Sequence, residues 1–374
     1  MKTYMFPGQG SQAKGMGGEL FDHFRDLTAK ADAILGYSIK ELCLEDPRDE
    51  LGNTRFTQPA LYTVNALSYL KKIEQTGQAP DFLAGHSLGE FDALMAAGCF
   101  DFETGLKLVR KRGELMSQIS GGGMAAVLNA SKQEIEEILE KNGLDEVSLA
   151  NYNSPSQIVI SGSAQQIATA QPLFKQGKIR FYPLNTSGAF HSRFMQGAME
   201  QFREFLKDVT FAEQKIPVIS NITARPYDND AILDTLSRQI ANTVQWSESV
   251  QYLLALARDR GETMTFEEFG PGDVLTRLVD MIRKQTPDAL LDGFFPSTAP
   301  AKVESDGSGK SSGASEKVVA WNRKHPIGTR VKSTVMDDAD LETRSEAVVL
   351  FGHRAAVYMK GFNGYFDLDE LATG

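Results

Sequence analysis

The chain of 374 residues is short of cysteine, of histidine and of positive charge. Its two cysteines, Cys43 and Cys99, exclude a disulfide framework or a cysteine-based zinc module. Both sit in apolar settings, Lys-Glu-Leu-Cys-Leu and Ala-Gly-Cys-Phe, which predicts two buried thiols in a cytoplasmic protein. No run approaches the roughly 18 apolar residues that span a bilayer. The opening Met1-Lys2-Thr3-Tyr4-Met5-Phe6 breaks at Pro7-Gly8, too early for a signal peptide. Lysine and arginine number 39 against 49 acids, a net charge of −10. That field repels phosphate and argues against a nucleic-acid or membrane partner. A basic partner, or an acidic one on a local basic patch, stays compatible with it. No metal site is expected.

What is there is an ordinary globular composition, 41% hydrophobic and 24% charged. The length predicts two or three domains. Short apolar runs alternate with amphipathic stretches, the α/β pattern. Thr3 to Phe6 reads as a first strand. Leu20, Phe21, Phe24, Leu27, Ala31, Ile34 and Leu35 recur at helical spacing. Pro59 is placed to open the next helix. Phe82-Leu83-Ala84 reads as a buried strand, followed by helices from Phe91 and from Glu103. Residues 124–184 read as β-α-β-β-α-β, the ferredoxin-like order, with a capping box at Ser131-Lys132-Gln133-Glu134. The module is expected as an insertion in a core made of 1–123 and 185–295. Residues 296–317, nearly all small, polar, proline or glycine, read as a linker. Beyond it, 318–374 reads as a small β module, with Val318-Val319-Ala320-Trp321 as its first strand.

Gly85-His86-Ser87-Leu88-Gly89 is G-x-S-x-G after a short strand and before a helix, the setting of a nucleophile elbow. A serine nucleophile needs a base. Of the five histidines, His23 lies on a solvent face, His325 and His353 lie past the linker, and His86 is turned away by the elbow. His191 remains, in Gly188-Ala189-Phe190-His191-Ser192, on a loop at the end of an element. No acid stands out as its orienting partner. Glu90 follows the elbow directly and points along its helix, so a backbone or amide oxygen could hold the imidazole instead.

Arg112 falls on the apolar stripe Leu108, Leu115 and Ile119 of its helix. A guanidinium on an inward face seeks a carboxylate. The sequence leaves two readings open, a structural ion pair and an anchor for a carboxylated substrate. Gly8-Gln9-Gly10-Ser11-Gln12 lacks the lysine and spacing of a P-loop, but a loop there can offer a backbone N–H to an oxyanion.

Six separated motifs then agree in order: Phe6-Pro7-Gly8-Gln9-Gly10-Ser11-Gln12, Gly85-His86-Ser87-Leu88-Gly89-Glu90, Arg112-Gly113, Asn153-Ser154-Pro155-Ser156-Gln157, Gly188-Ala189-Phe190-His191-Ser192 and Val244-Gln245-Trp246. Over about residues 1–290 the chain resembles the malonyl-CoA:acyl carrier protein transacylases. The resemblance implies an α/β-hydrolase-like core with an inserted ferredoxin-like subdomain. It implies Ser87 as nucleophile, His191 as base and a main-chain carbonyl, falling on Gln245, as the histidine's orienter. It implies Gln9 and Leu88 N–H groups as the oxyanion hole. Arg112, Phe190, Asn153 and Gln157 follow as substrate-binding residues, Phe190 selecting malonyl over bulkier methylmalonyl. The implied partners are malonyl-CoA, as substrate and not as a bound cofactor, and an acidic, phosphopantetheinylated acyl carrier protein. The Gly-Ala-Phe-His version, the length and the C-terminal piece resemble free-standing acyltransferases of trans-AT polyketide synthases. An editing acyl hydrolase shares the elbow but gains nothing from a carboxylate anchor. A non-catalytic docking protein would not need Ser87, His191 and Arg112 together.

Overall fold

In a computed structural model, the alternating pattern folds into two compact units, Met1–Ser297 and Thr298–Gly374. The structure describes residues 1–175, 177–186, 188–295, 313–333, 340–350, 354–360 and 365–372. No helix among them is long and apolar enough to cross a membrane.

The first unit begins with strand β1 (Lys2–Phe6). The helical spacing after it forms α1 (Leu20–His23) and α2 (Arg25–Leu35), separated at Phe24, then α3 (Ile39–Leu44). Helix α4 (Thr54–Thr76) starts at Asn53, whose side chain accepts from the Arg55 N–H. Pro59 therefore lies inside α4 and does not open it. Asparagine supplies a side-chain acceptor that proline lacks, and packing tolerates the lost backbone bond. β2 (Phe82–Gly85), α5 (Gly89–Ala96) and α6 (Phe102–Ser117) follow, α6 capped by Asp101 onto Thr104 N–H.

The next six elements are β3 (Gly122–Leu128), α7 (Lys132–Lys141), β4 (Ser148–Ser154), β5 (Gln157–Ser163), α8 (Ala164–Phe174) and β6 (Arg180–Pro183). Their antiparallel sheet has the order β4-β5-β3-β6, the ferredoxin-like arrangement. The Ser131–Glu134 capping box is formed in both directions. The chain returns through α9 (Gln196–Leu206), β7 (Val218–Ile219), α10 (Ile232–Arg238), α11 (Trp246–Asp259), β8 (Thr265–Glu268), α12 (Val274–Gln285) and α13 (Asp288–Asp292).

The core sheet is parallel, in the order β7-β2-β1-β8. Strand periodicity divides its residues between two cores. Tyr4, Phe6, Leu83 and Val218 enter one cluster, Met5, Phe82, Ala84 and Ile219 the other. Glycine lets the elbow sit hard against β1. A Cβ on Gly89 would lie 2.0 Å from the Phe6 carbonyl oxygen, and one on Gly85 would lie 1.9 Å from the Gly89 carbonyl carbon.

The second unit holds helix α14 (Gly313–Lys324), which corrects two expectations. Residues 313–317 belong to it and not to a linker, and Val318–Trp321 are helical and not a strand. A four-residue apolar run is ambiguous between the two. Here Val318 and Trp321, one helical turn apart, pack on the small core while Val319 is 59% exposed. The rest of the expected linker, 296–312, lies outside the described residues. The strands of this unit include β9 (Arg330–Ser333), β11 (Val348–Leu350), β12 (Arg354–Tyr358) and β13 (Tyr365–Asp367). β10 (Asp340–Glu342) and β14 (Leu371–Ala372) accompany them. They form two three-stranded sheets, β10-β9-β14 and β11-β12-β13.

Two substitutions measure these local rules. Ser131→Ala should cost about 1 kcal/mol in urea unfolding, the loss of one cap. Gly89→Ala should cost about 3 kcal/mol or more, because backbone must move to admit the methyl. Equal effects would contradict the close approach at the elbow.

Candidate active site

The turn between β2 and α5 lifts Ser87 out of the sheet with φ +51°. Such a left-handed serine is strained by roughly 1–3 kcal/mol and needs outside support. Asn221 supplies it on one side: its Oδ1 accepts from Ser87 N–H at 2.7 Å and its Nδ2 donates to the Gly85 carbonyl at 2.6 Å. Gln239 supplies it on the other, Nε2 donating to the Ser87 carbonyl at 2.5 Å.

The structure brings His191 to Ser87, Nε2 to Oγ at 2.7 Å. His191 is also left-handed, φ +56°, and its own N–H is tied to the Ile240 carbonyl at 3.1 Å. Its Nδ1 faces the carbonyls of Gln239 at 3.0 Å and Asn242 at 3.1 Å. Two acceptors there place the ring proton on Nδ1 and leave the Nε2 lone pair for the serine hydroxyl. Burial, then the Arg112 charge, pushes the imidazole down to about 3. It is therefore a neutral acceptor at physiological pH.

The carbonyl that orients His191 is thus not that of Gln245. Gln245 is the N-cap of α11, and its carbonyl accepts from Ser249 N–H at 2.9 Å, the first bond of that helix. The carbonyls that reach His191 belong to the 3₁₀ turn Gln239–Ala241 and its cap Asn242. The Gln239 carbonyl also accepts from Asn242 N–H at 3.4 Å, and carbonyls at a helical end carry partial negative charge.

Arg112, 1% exposed, enters from α6. Its Nη2 donates to Ser87 Oγ at 3.1 Å and to Gln239 Oε1 at 2.8 Å, and its Nη1 donates to Gln58 Oε1 at 2.8 Å. Its Nε has no partner, and among the described residues no carboxylate lies at ion-pair distance. The structural ion pair that the sequence left open is not formed. Burial pulls the guanidinium down to about 10, opposed by the charge of Glu90.

Gln9 lies on the loop after β1, and Leu88 follows Ser87 as the N-cap of α5. The Gln9 amide bonds the Thr54 hydroxyl at 3.0 Å, and neither residue's backbone N–H has a partner among the described residues. Phe190, 5% exposed, packs in the main core beside His191. Asn153 reaches the site indirectly, its Oδ1 bonding His86 Nε2 at 2.8 Å. Gln157 opens β5 opposite Leu128 and Ser154, and no side-chain bond joins it to Ser87, His191 or Arg112. His23 bonds Glu74 at 2.6 Å on the surface, and the His325 ring lies tilted against Trp321 in the second unit. His353 lies outside the described residues. Both cysteines are buried and unpaired.

Sequence reasoning missed Gln58, Asn221, Gln239 and Asn242, which hold the reactive groups without reacting. It also left Glu90 without a partner. A signal existed for Glu90: it and Asp92 are the acids in an otherwise apolar helix, and both are fully buried.

Residues 3–288 match the acyl transferase domain family. That match ends before the second unit, which starts at Thr298. The polyketide biosynthesis malonyl CoA-acyl carrier protein transacylase BaeC of Bacillus velezensis is 54% identical over 288 residues, covering 76% of this chain and 98% of BaeC. The polyketide biosynthesis protein PksE of Bacillus subtilis is 54% identical over 303 residues, 80% of this chain, and the match spans 38% of PksE. A crystal structure of a malonyl CoA-acyl carrier protein transacylase from Burkholderia pseudomallei is 62% identical, with a TM-score of 0.76 over 77% of this chain and 99% of that one. A malonyl-transacylase solved in complex with a type II polyketide synthase acyl-carrier protein is 32% identical, with a TM-score of 0.70 over 78% of this chain and 98% of that one. This chain belongs to the acyl transferase domain family and, within it, to the malonyl CoA-acyl carrier protein transacylases.

Proposed function

We propose that this chain moves a malonyl group from malonyl-CoA to the phosphopantetheine thiol of an acyl carrier protein, in trans for a polyketide synthase, through a malonyl ester on Ser87. The observation that carries this reading is the buried Arg112, a cation with no carboxylate partner among the described residues, 3.1 Å from the hydroxyl of Ser87. Residues 1–123 and 185–295 serve as the transferase core and 124–184 as the module beside it.

Ser87 Oγ attacks the thioester carbonyl while its proton passes to His191 Nε2. The N–H groups of Gln9 and Leu88 receive the oxyanion. The carbon–sulfur bond breaks, and the departing CoA sulfur takes the proton from His191. In the second half the carrier thiol gives its proton to His191 and attacks the malonyl ester. The ester carbon–oxygen bond breaks, and His191 returns the proton to Ser87 Oγ. The Gln239 and Asn242 carbonyls stabilise the imidazolium formed in each half. Arg112 holds the malonyl carboxylate throughout, so the acyl carbon meets the correct nucleophile. Phe190 limits room beside His191 and favours malonyl over methylmalonyl. Gln157 is a substrate contact on the strength of the resemblance, and Asn153 contributes through His86. No bound cofactor takes part. The two unpaired buried thiols support a cytoplasmic setting.

Intact-mass analysis after mixing with malonyl-CoA should show a malonyl adduct on the native chain and none on Ser87→Ala. No adduct and no transfer to any carrier protein would reject the proposal. Arg112→Ala should lower kcat/KM for malonyl-CoA by about 10- to 100-fold, the worth of hydrogen bonds to a charged group. Its activity toward acetyl-CoA should hold or rise. An unchanged malonyl-to-acetyl ratio would remove Arg112 as the anchor.

A further inference from the structure

We propose that Glu90 is a positioning residue for malonyl transfer: its carboxylate fixes the amide of Gln239 so that Arg112 and Ser87 are presented together. This rests on the malonyl reading of Arg112 above. Glu90 is 0% exposed on α5, and its three partners are all donors. Asn221 N–H reaches Oε1 at 2.8 Å, the Tyr227 hydroxyl reaches Oε1 at 2.9 Å, and Gln239 Nε2 reaches Oε2 at 2.6 Å. A carboxyl ringed by donors is matched to its ionised, acceptor-only form.

Two of those partners hold the serine turn. Asn221 grips Ser87 N–H and the Gly85 carbonyl, and Gln239 grips the Ser87 carbonyl. Gln239 carries a further consequence. With Nε2 committed to Glu90, its Oε1 must face Arg112 Nη2, at 2.8 Å. Its backbone carbonyl meets His191 Nδ1. One residue thereby links the anchor, the nucleophile turn and the base, and Glu90 selects which end of its side-chain amide faces the guanidinium.

Protonation of Glu90 places a donor against this ring. The new O–H finds an acceptor only if Tyr227 reverses its hydroxyl or Gln239 turns its amide. A turned amide sets NH₂ against the Arg112 guanidinium, donor against donor, and Arg112 loses its contact. Burial pushes Glu90 up to about 7, against the pull of Asn221, Tyr227, Gln239 and the Arg112 charge. The groups around it differ. Burial raises Tyr227 well above its usual range and Cys99, behind it, to about 11. Arg112 on α6 stays charged up to about 10, and His191 stays neutral down to about 3. Asp92, on the same helix, turns to Asn65 at 3.0 Å. The ionised form, present above about pH 7, is the one that presents Arg112.

The test measures kcat/KM for malonyl-CoA and acetyl-CoA from about pH 5.5 to 9 on the full chain, on Glu90→Gln and on Tyr227→Phe. Malonyl activity of the native chain should fall about tenfold as pH drops through the inflection near 7, with acetyl activity falling less. Glu90→Gln carries the donor permanently, so it should sit at that low level at every pH, without the inflection. Tyr227→Phe removes one donor and should move the inflection to higher pH. An inflection and a malonyl-to-acetyl ratio unchanged in Glu90→Gln would overturn the proposal, as would equal loss on both acyl donors. Should thermal melts show Glu90→Gln unfolded, an unshifted inflection in Tyr227→Phe would overturn it. Failure of the native chain to acquire malonyl on Ser87 by intact mass would reject the transfer reading itself and this inference with it.

Discussion

Arg112 is buried beside the reactive hydroxyl and is held by two glutamine oxygens, from Gln58 and Gln239. A charge in such a place is costly unless polar groups replace its water. A carboxylate would do so most strongly, but it would also occupy the guanidinium. Amides stabilise the cation and leave it positive. Glu90, whose charge acts on Arg112, stands one amide away across Gln239. The fold builds this spacing by bringing α4 against α6. A Cβ on Gly105 would lie 2.0 Å from the Tyr62 hydroxyl, and one on Gly113 would lie 3.0 Å from the Thr54 carbonyl. Small residues on α6 let α4 come close enough for Gln58 to reach Arg112.

The parts that react were legible in the sequence, and the parts that hold them were not. Gly85, Ser87 and Gly89 are visible because a tight strand-to-helix turn demands particular residues at fixed spacing. Arg112 is visible because a charge breaks an apolar stripe. Gln239 and Asn221 break no pattern. They sit at the ends of short elements, where polar residues are common, and their value lies in contacts 152 and 134 residues away along the chain. Gln245 shows how a short motif misleads: the same stretch holds two glutamines, Gln239 and Gln245, and only the geometry tells which carbonyl reaches His191. The same limit produced the error at Val318–Trp321. Four apolar residues carry no period, and the docking of Asn322 onto Ala347, at 2.7 and 2.9 Å, favours the helix.

The ferredoxin-like module belongs to the site's support. Its strand β4 runs beside the segment that orients the base: Tyr152 N–H meets the Val244 carbonyl at 2.9 Å, and Val244 N–H meets the Ala150 carbonyl at 2.9 Å. The Thr243 hydroxyl adds a bond to the Leu149 carbonyl at 2.6 Å. Two residues before Val244, Asn242 presents its carbonyl to His191. One step after Val244, Gln245 N–H bonds the backbone carbonyl of Asn221, whose side chain holds Ser87. Asn153, also on β4, takes His86 from the elbow. Base and nucleophile are therefore both referred to the same strand. Each sits in a left-handed conformation that would relax if its support shifted. A module inserted between α6 and α9 can fix that geometry because β4 reaches the base loop and the elbow together. This explains why an insertion far from the core sheet in sequence is part of the machinery that holds a 2.7 Å contact between Ser87 and His191.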